Sequence, residues 1–202
     1  MAILNVEILI FNEVEVLDFA GPFEVFSLAE QDSRKLYNVY TIAERTDIVH
    51  ARNGLKIQPD FCFENHPDMD IQIIPGGYGA EHIEIKNEHV LEWIKKQFLK
   101  VRLILSVCTG ALLLAESGIL NNRKATTHWM DISRLEQDYP NIKVIRNTRF
   151  VDLGTVITSG GISAGIDMSF YVLKKLSGVP IAKRTAQRME YKCEFLDMSS
   201  SF

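Results

Sequence analysis

The chain of 202 residues holds only three cysteines, Cys62, Cys108 and Cys193, widely separated and without CxxC spacing. Neither a disulfide framework nor a zinc knuckle is indicated, and a reducing compartment fits best. Its five histidines, His50, His66, His82, His89 and His128, never pair at HxxxH spacing. No metal site is therefore expected. No apolar run approaches the length needed to span a bilayer, and the start, MAILNVEILIF, lacks the basic segment and small-residue cleavage site of a secretory signal. A cytoplasmic protein is expected. Charge of one sign is missing too: 22 Lys and Arg stand against 26 Asp and Glu, mixed along the chain, for a net charge of −4. That balance leaves no electrostatic footprint for nucleic acid or an anionic membrane. Repeats, low-complexity segments and interdomain linkers are also lacking. One domain over 1–202 follows, with a core of about 4–190 and a polar, serine-rich tail at Asp197–Phe202.

What is present is an alternation. Apolar strand-like runs recur at Val6–Phe11, Val39–Ile42, Ile71–Ile74, Leu103–Val107 and Thr155–Thr158. Segments of helical spacing lie at Gly21–Glu30, Glu88–Lys100, Thr109–Ser117, Asp131–Asp138, Gly165–Leu176 and Pro180–Lys192. This order predicts an α/β fold around a mostly parallel sheet. Pro22 and Pro180 are expected in first helical turns, Gly118 and Gly178 at helix ends, and Asn53-Gly54 in a small β-hairpin.

In such a sheet, ligands bind beyond the carboxyl ends of the strands. The most informative of those ends is Val101–Ala111, VRLILSVCTGA, where a buried strand runs into a turn carrying Cys108 at the start of a helix. The pattern resembles a nucleophile elbow, in which a strained corner lifts one side chain toward substrate. A thiol there is expected to be acidified by the helix N-terminus. The alternative is a buried cysteine that only packs. Gly110 lets the first helical turn approach its neighbours closely and favours the nucleophile.

Asp18 lies in an apolar stretch just before an expected helix. It reads either as an N-cap or as a carboxyl group of raised pKa that shuttles a proton near Cys108. Pro75-Gly76-Gly77-Tyr78-Gly79 lacks the spacing of a phosphate loop. Its amides at Gly76 and Gly77 are expected to face the reacting centre as an oxyanion-type hole, unless the segment is an ordinary glycine turn. Ser159-Gly160-Gly161-Ile162 is either a pocket wall or a plain N-cap turn, and His128 reads as a structural, hydrogen-bonding histidine.

Asp18 before Gly21-Pro22, Pro75-Gly76-Gly77, Ser106–Ala111, Ala125-Thr126-Thr127-His128-Trp129 and Ser159–Asp167, in that order, resemble the ThiJ/PfpI superfamily over residues 4–190. DFxGPxxVF and SVCTGA resemble the branch that contains isonitrile hydratase and the amidase-like N-terminal domains of AraC-type regulators. The resemblance implies a flavodoxin-like three-layer sandwich, usually a homodimer, with Cys108 as nucleophile and Asp18 as its acid/base partner. Thr109 stands where protease-like members carry histidine, which speaks against a Cys-His hydrolytic pair. The activity implied is hydration of an isonitrile to an N-substituted formamide, without cofactor or metal. Thr109 and the Gly76 and Gly77 amides would orient substrate, Gly110, Gly161 and Ile162 would shape the pocket, and His128 would stand behind them. The alternatives are a stand-alone ligand or redox sensor, and a glyoxalase-like enzyme acting on a reactive carbonyl. A full regulator of this kind would carry two further helix-turn-helix units, which are not expected after Phe202.

Overall fold

The computed structural model describes residues 2–197; the tail expected to be polar lies, beyond Asp197, outside them. Seven strands form the central sheet: β1 (Leu4–Leu9), β2 (Tyr37–Ala43), β3 (Phe61–Cys62), β4 (Ile71–Ile74), β5 (Leu103–Ser106), β6 (Phe150–Asp152) and β7 (Val156–Ser159). Their spatial order is β6-β7-β5-β4-β1-β2-β3, and every pair is parallel except β6 with β7. Helices α1 (Val16–Ser27), α2 (Tyr78–His82), α3 (Glu88–Phe98), α4 (Gly110–Glu116), α5 (Ile132–Asp138), α6 (Ser163–Ser177), α7 (Val179–Arg188) and α8 (Glu194–Asp197) surround it. This is the flavodoxin-like α/β arrangement expected from the sequence.

Covering both faces of a parallel sheet removes any need for alternation along its strands. Accordingly β4, β5 and β7 are buried at every position. Helix α4, with the run Ala111 to Ala115 buried on all sides, is an interior helix, which is why its sequence shows no polar face. The Asn53-Gly54 hairpin forms as expected, with Val49–His50 pairing antiparallel to Lys56–Ile57. Gly118 and Gly178 follow α4 and α6 with φ of 75° and 88°.

Three expectations are corrected. Helix α1 begins at Val16, five residues before the expected Gly21, because Val16 and Phe19 pack against the core and extend the apolar face backwards. Pro22 therefore lies inside the helix, where its missing N–H leaves the Asp18 carbonyl without an i+4 donor. Asp18 is likewise no N-cap: Glu15 occupies that place and makes no side-chain cap bond. The two-residue β3 and the edge strand β6 were too short to carry a periodic signal.

Candidate active site

Strand β5 ends at Ser106, and Val107 leads into Cys108, whose φ of 56° puts it in the left-handed region. A non-glycine residue held there is strained and persists only where its surroundings over-determine it. Here they do. The Cys108 N–H donates to the Gly160 carbonyl at 3.1 Å, and the Cys108 carbonyl accepts from Thr127 Oγ1 at 2.8 Å. Gly110 completes the corner, since a Cβ there would stand 2.1 Å from the Ile74 carbonyl oxygen. The elbow expected from the sequence is present, and only glycine fits at its third position.

Asp18, fully buried on α1, reaches the same place from the other side of the turn. The Gly76 N–H donates to its Oδ2 at 3.1 Å, while Oδ1 is buried with no hydrogen-bond partner. The Cys108 thiol and the Ile162 N–H also approach the carboxyl group and favour its ionised form. Burial outweighs them: it raises Asp18 from 3.8 to about 7, the Glu15 charge adding to the rise. Asp18 thus changes protonation near neutral pH, as a proton shuttle must.

The thiol departs from expectation. Burial, and next the Asp18 charge, push Cys108 above the ordinary thiol range, and hydrogen bonds from the Thr109 N–H and hydroxyl only partly offset this. The reason that the helix does not acidify it is physical: α4 is one short helix of seven residues, and Cys108 is only 6% exposed beside a second acid. Cys108 and Asp18 are best treated as one pair sharing a proton.

The Gly76 and Gly77 amides do not face open space. Gly76 N–H holds Asp18, and Gly77 N–H donates to Thr109 Oγ1 at 2.9 Å. Both are committed to positioning, in place of the oxyanion-type role expected of them. The second amide has its own effect: with its oxygen accepting from Gly77, the Thr109 hydroxyl keeps its proton for the sulfur.

Ile162 and His128 form the far wall. Ile162 precedes α6 with φ of 52° and ψ of −94°, an outlier for a β-branched residue, and its side chain is 38% exposed. The strained backbone turns its N–H toward Asp18. Gly161 lies flush against His128: a Cβ would come within 2.0 Å of the imidazole Cδ2. His128 Nδ1 stands 3.6 Å from Asp131, in keeping with a structural histidine. Beside these residues a cleft of about 700 Å³ opens, lined by Thr127, His128, Trp129, Ile132, Gly161 and Ile162 among others. Trp129 is 76% exposed at its rim.

The sequence reading thus brought together Cys108, Asp18, Thr109, Gly76, Gly77, Gly110, Gly161, Ile162 and His128, and the structure gathers all nine around one corner. It missed Thr127. The available signal was a pair of adjacent threonines, Thr126 and Thr127, next to a buried alanine; both prove buried. Among the described residues no group of three or more His, Cys, Asp or Glu is placed to hold a metal ion, and no helix is long and apolar enough to cross a membrane.

With the geometry in view, comparison with known proteins places the chain. The isonitrile hydratase of Pseudomonas putida is 33% identical over 189 residues, which is 93% of this chain and 78% of that protein. The HTH-type transcriptional regulator GbdR of Pseudomonas aeruginosa is 26% identical over 93% of this chain, and the match spans only 51% of the regulator. The crystal structure of a THiJ/PfpI family protein from Pseudomonas syringae superposes with a TM-score of 0.85 at 26% identity, covering 95% of this chain and 76% of the other. The model of the DJ-1/PfpI family matches residues 5–175, and the chain belongs to that family.

Proposed function

We propose that the protein hydrates an organic isonitrile to an N-substituted formamide, R–NC + H2O → R–NH–CHO, at the Cys108–Asp18 pair. The observation that carries this reading is a buried carboxyl group, poised near neutral pH, against a thiol held at a strained corner. The likeness to isonitrile hydratase supports the substrate class.

The pair starts with one proton. Asp18 takes the proton from the Cys108 thiol as sulfur bonds to the terminal isonitrile carbon, and then gives it to that carbon, leaving a thioimidate, Cys–S–CH=N–R, and an Asp18 carboxylate. The carboxylate next deprotonates water, whose oxygen bonds to the thioimidate carbon, and Asp18 passes that proton to nitrogen. The tetrahedral adduct, Cys–S–CH(OH)–NH–R, collapses as the C–S bond breaks. Its hydroxyl proton returns through Asp18 to sulfur, and the formamide leaves. The Thr109 N–H and hydroxyl stabilise charge on sulfur in the first and last steps. The cleft beside Ile162 and Trp129 receives the R group, with Trp129, Ile132 and Ile162 as its apolar contacts and Arg146 and Arg149 on its polar side. No step calls for a cofactor or a metal. A cytoplasmic homodimer acting on a small molecule is the cellular setting of this reading.

A second reading has its own support. The HTH-type transcriptional regulator GbdR matches across the same 93% of this chain, which fits a stand-alone ligand-sensing domain. Formamide production by wild type and by Cys108→Ala, with mass spectrometry of the stalled enzyme, separates the two. Cysteine-dependent turnover with an adduct on Cys108 is the expected result. Absence of turnover with a range of isonitriles would replace the enzyme with the sensor.

A further inference from the structure

The peptide between Cys108 and Thr109 is anchored at its carbonyl, which accepts from Thr127 Oγ1 at 2.8 Å. Its N–H belongs to Thr109 and lies beside the Cys108 sulfur, where it favours the thiolate. In a trans peptide these groups point in opposite directions, so fixing the carbonyl fixes where the N–H aims. The other donor to that carbonyl is the Ala111 N–H at 3.4 Å, longer than the usual N–H···O range. Thr127 is therefore the principal anchor of a peptide whose left-handed Cys108 would otherwise relax.

Thr127 is itself mounted on the sheet. It is 2% exposed. The N–H of the preceding Thr126 donates to Thr158 Oγ1 on β7 at 2.9 Å, and the following His128 packs on Gly161. The Ala125 carbonyl accepts from the Ile145 N–H at 2.7 Å. A buried hydroxyl held this firmly, donating to the backbone of the strained cysteine, exceeds what packing alone requires.

We propose that Thr127 is a positioning residue for the Cys108 nucleophile: its hydroxyl orients the Cys108–Thr109 peptide so that the Thr109 N–H is directed at the sulfur. The assignment rests on Cys108 being the reactive group, and it does not depend on which electrophile the thiol meets. Without the hydroxyl, the peptide turns away, the sulfur loses a donor, and its thiolate is harder to form. Losing a direct donor to developing charge costs roughly 10²–10³ in rate, and a donor misdirected through its neighbour costs about tenfold or more.

The test is the rate of Cys108 alkylation by iodoacetamide between pH 5 and 10, read by peptide mass spectrometry, for wild type, Thr127→Val and Thr127→Ser. The valine variant should react about 10- to 100-fold more slowly at pH 7.5, with its profile displaced to higher pH, and the serine variant should return close to wild type. A valine variant within twofold of wild type across the range would overturn the proposal. So would equal slowing by valine and serine with the pH profile unmoved, which is the mark of a purely structural role. Should Thr127→Val not fold, Thr158→Val, which removes the acceptor holding the Thr126 N–H, must displace the profile in the same direction; an unmoved profile would again overturn it. Wild type that makes no formamide while the Thr127 variants behave as stated would reject isonitrile hydration and support the positioning role.

Discussion

Asp18 and Glu7 are both fully buried carboxyl groups, and they differ in their neighbours and in their place in the fold. Desolvation is the largest cause in each case, raising Asp18 to about 7 and Glu7 to about 8. Asp18 stands beyond the carboxyl ends of the strands, with a backbone donor at 3.1 Å and a thiol beside it. Glu7 stands in the middle of β1. Neither of its oxygens has a hydrogen-bond partner, nor does either polar atom of Gln72, opposite it on β4. His66 Nδ1 lies 3.7 Å from Glu7, but it also sits 2.7 Å from the Pro67 carbonyl, and the closer contact is the one that holds it. A perturbed pKa therefore does not mark a catalytic group by itself. Place in the fold and neighbouring chemistry do. Glu7 is a cost that changes with pH, whereas Asp18 is a poised proton carrier.

The largest effect should come from exchanging each acid for its amide. Asp18→Asn removes proton transfer and should lower formamide production by about 10²–10⁴, while Glu7→Gln should remain within about twofold of wild type. Comparable losses in both variants, in steady-state kinetics, would erase the distinction.

Stability should rank them the other way. The native state binds the Glu7 proton more tightly than the unfolded chain does, since its pKa rises from 4.5 to about 8. That contribution is full below the unfolded value and is lost as pH climbs through about 8. Glu7→Gln, which stays neutral, should match wild type near pH 5 and exceed it at pH 9 by on the order of 3 kcal/mol in urea unfolding. A gap that does not grow with pH would mean that Glu7 is not held protonated. A smaller effect is expected at the far wall: Gly161→Ala must push the His128 ring aside, and should cost about 1–2 kcal/mol of stability with a reduction of activity of severalfold.

How these features showed in the sequence follows from the range of the interactions behind them. The strands of a covered parallel sheet are unbroken apolar runs, so Ile71–Ile74 is read without error and its neighbours to within two residues. The SVCTGA turn declares itself by a local change from strand to helix. The sequence left Asp18 open between an N-cap and a proton carrier near Cys108, and resemblance alone favoured the pair, because 90 residues of chain separate the two and no local pattern records that they meet. The fates of the Gly76 and Gly77 amides were not legible: which acceptor an N–H finds is decided by tertiary contact with Asp18 and Thr109. Glu7 was absorbed unnoticed into an apolar run, since one charged residue does not break a strand. The missed start of α1 has the same origin, as packing of Val16 and Phe19 overrides a proline that reads locally as a helix start.

The most direct test of the Cys108–Asp18 pair is the pH dependence of Cys108 alkylation in wild type and in Asp18→Asn. The fully protonated pair has no base to receive the thiol proton, so reactivity in wild type should rise with a midpoint of about 7, which belongs to the coupled Cys108–Asp18 pair. In Asp18→Asn that limb should disappear, leaving only a rise at alkaline pH, where the buried thiol ionises unaided. Superimposable profiles for the two proteins would contradict a shared proton and remove Asp18 from the chemistry.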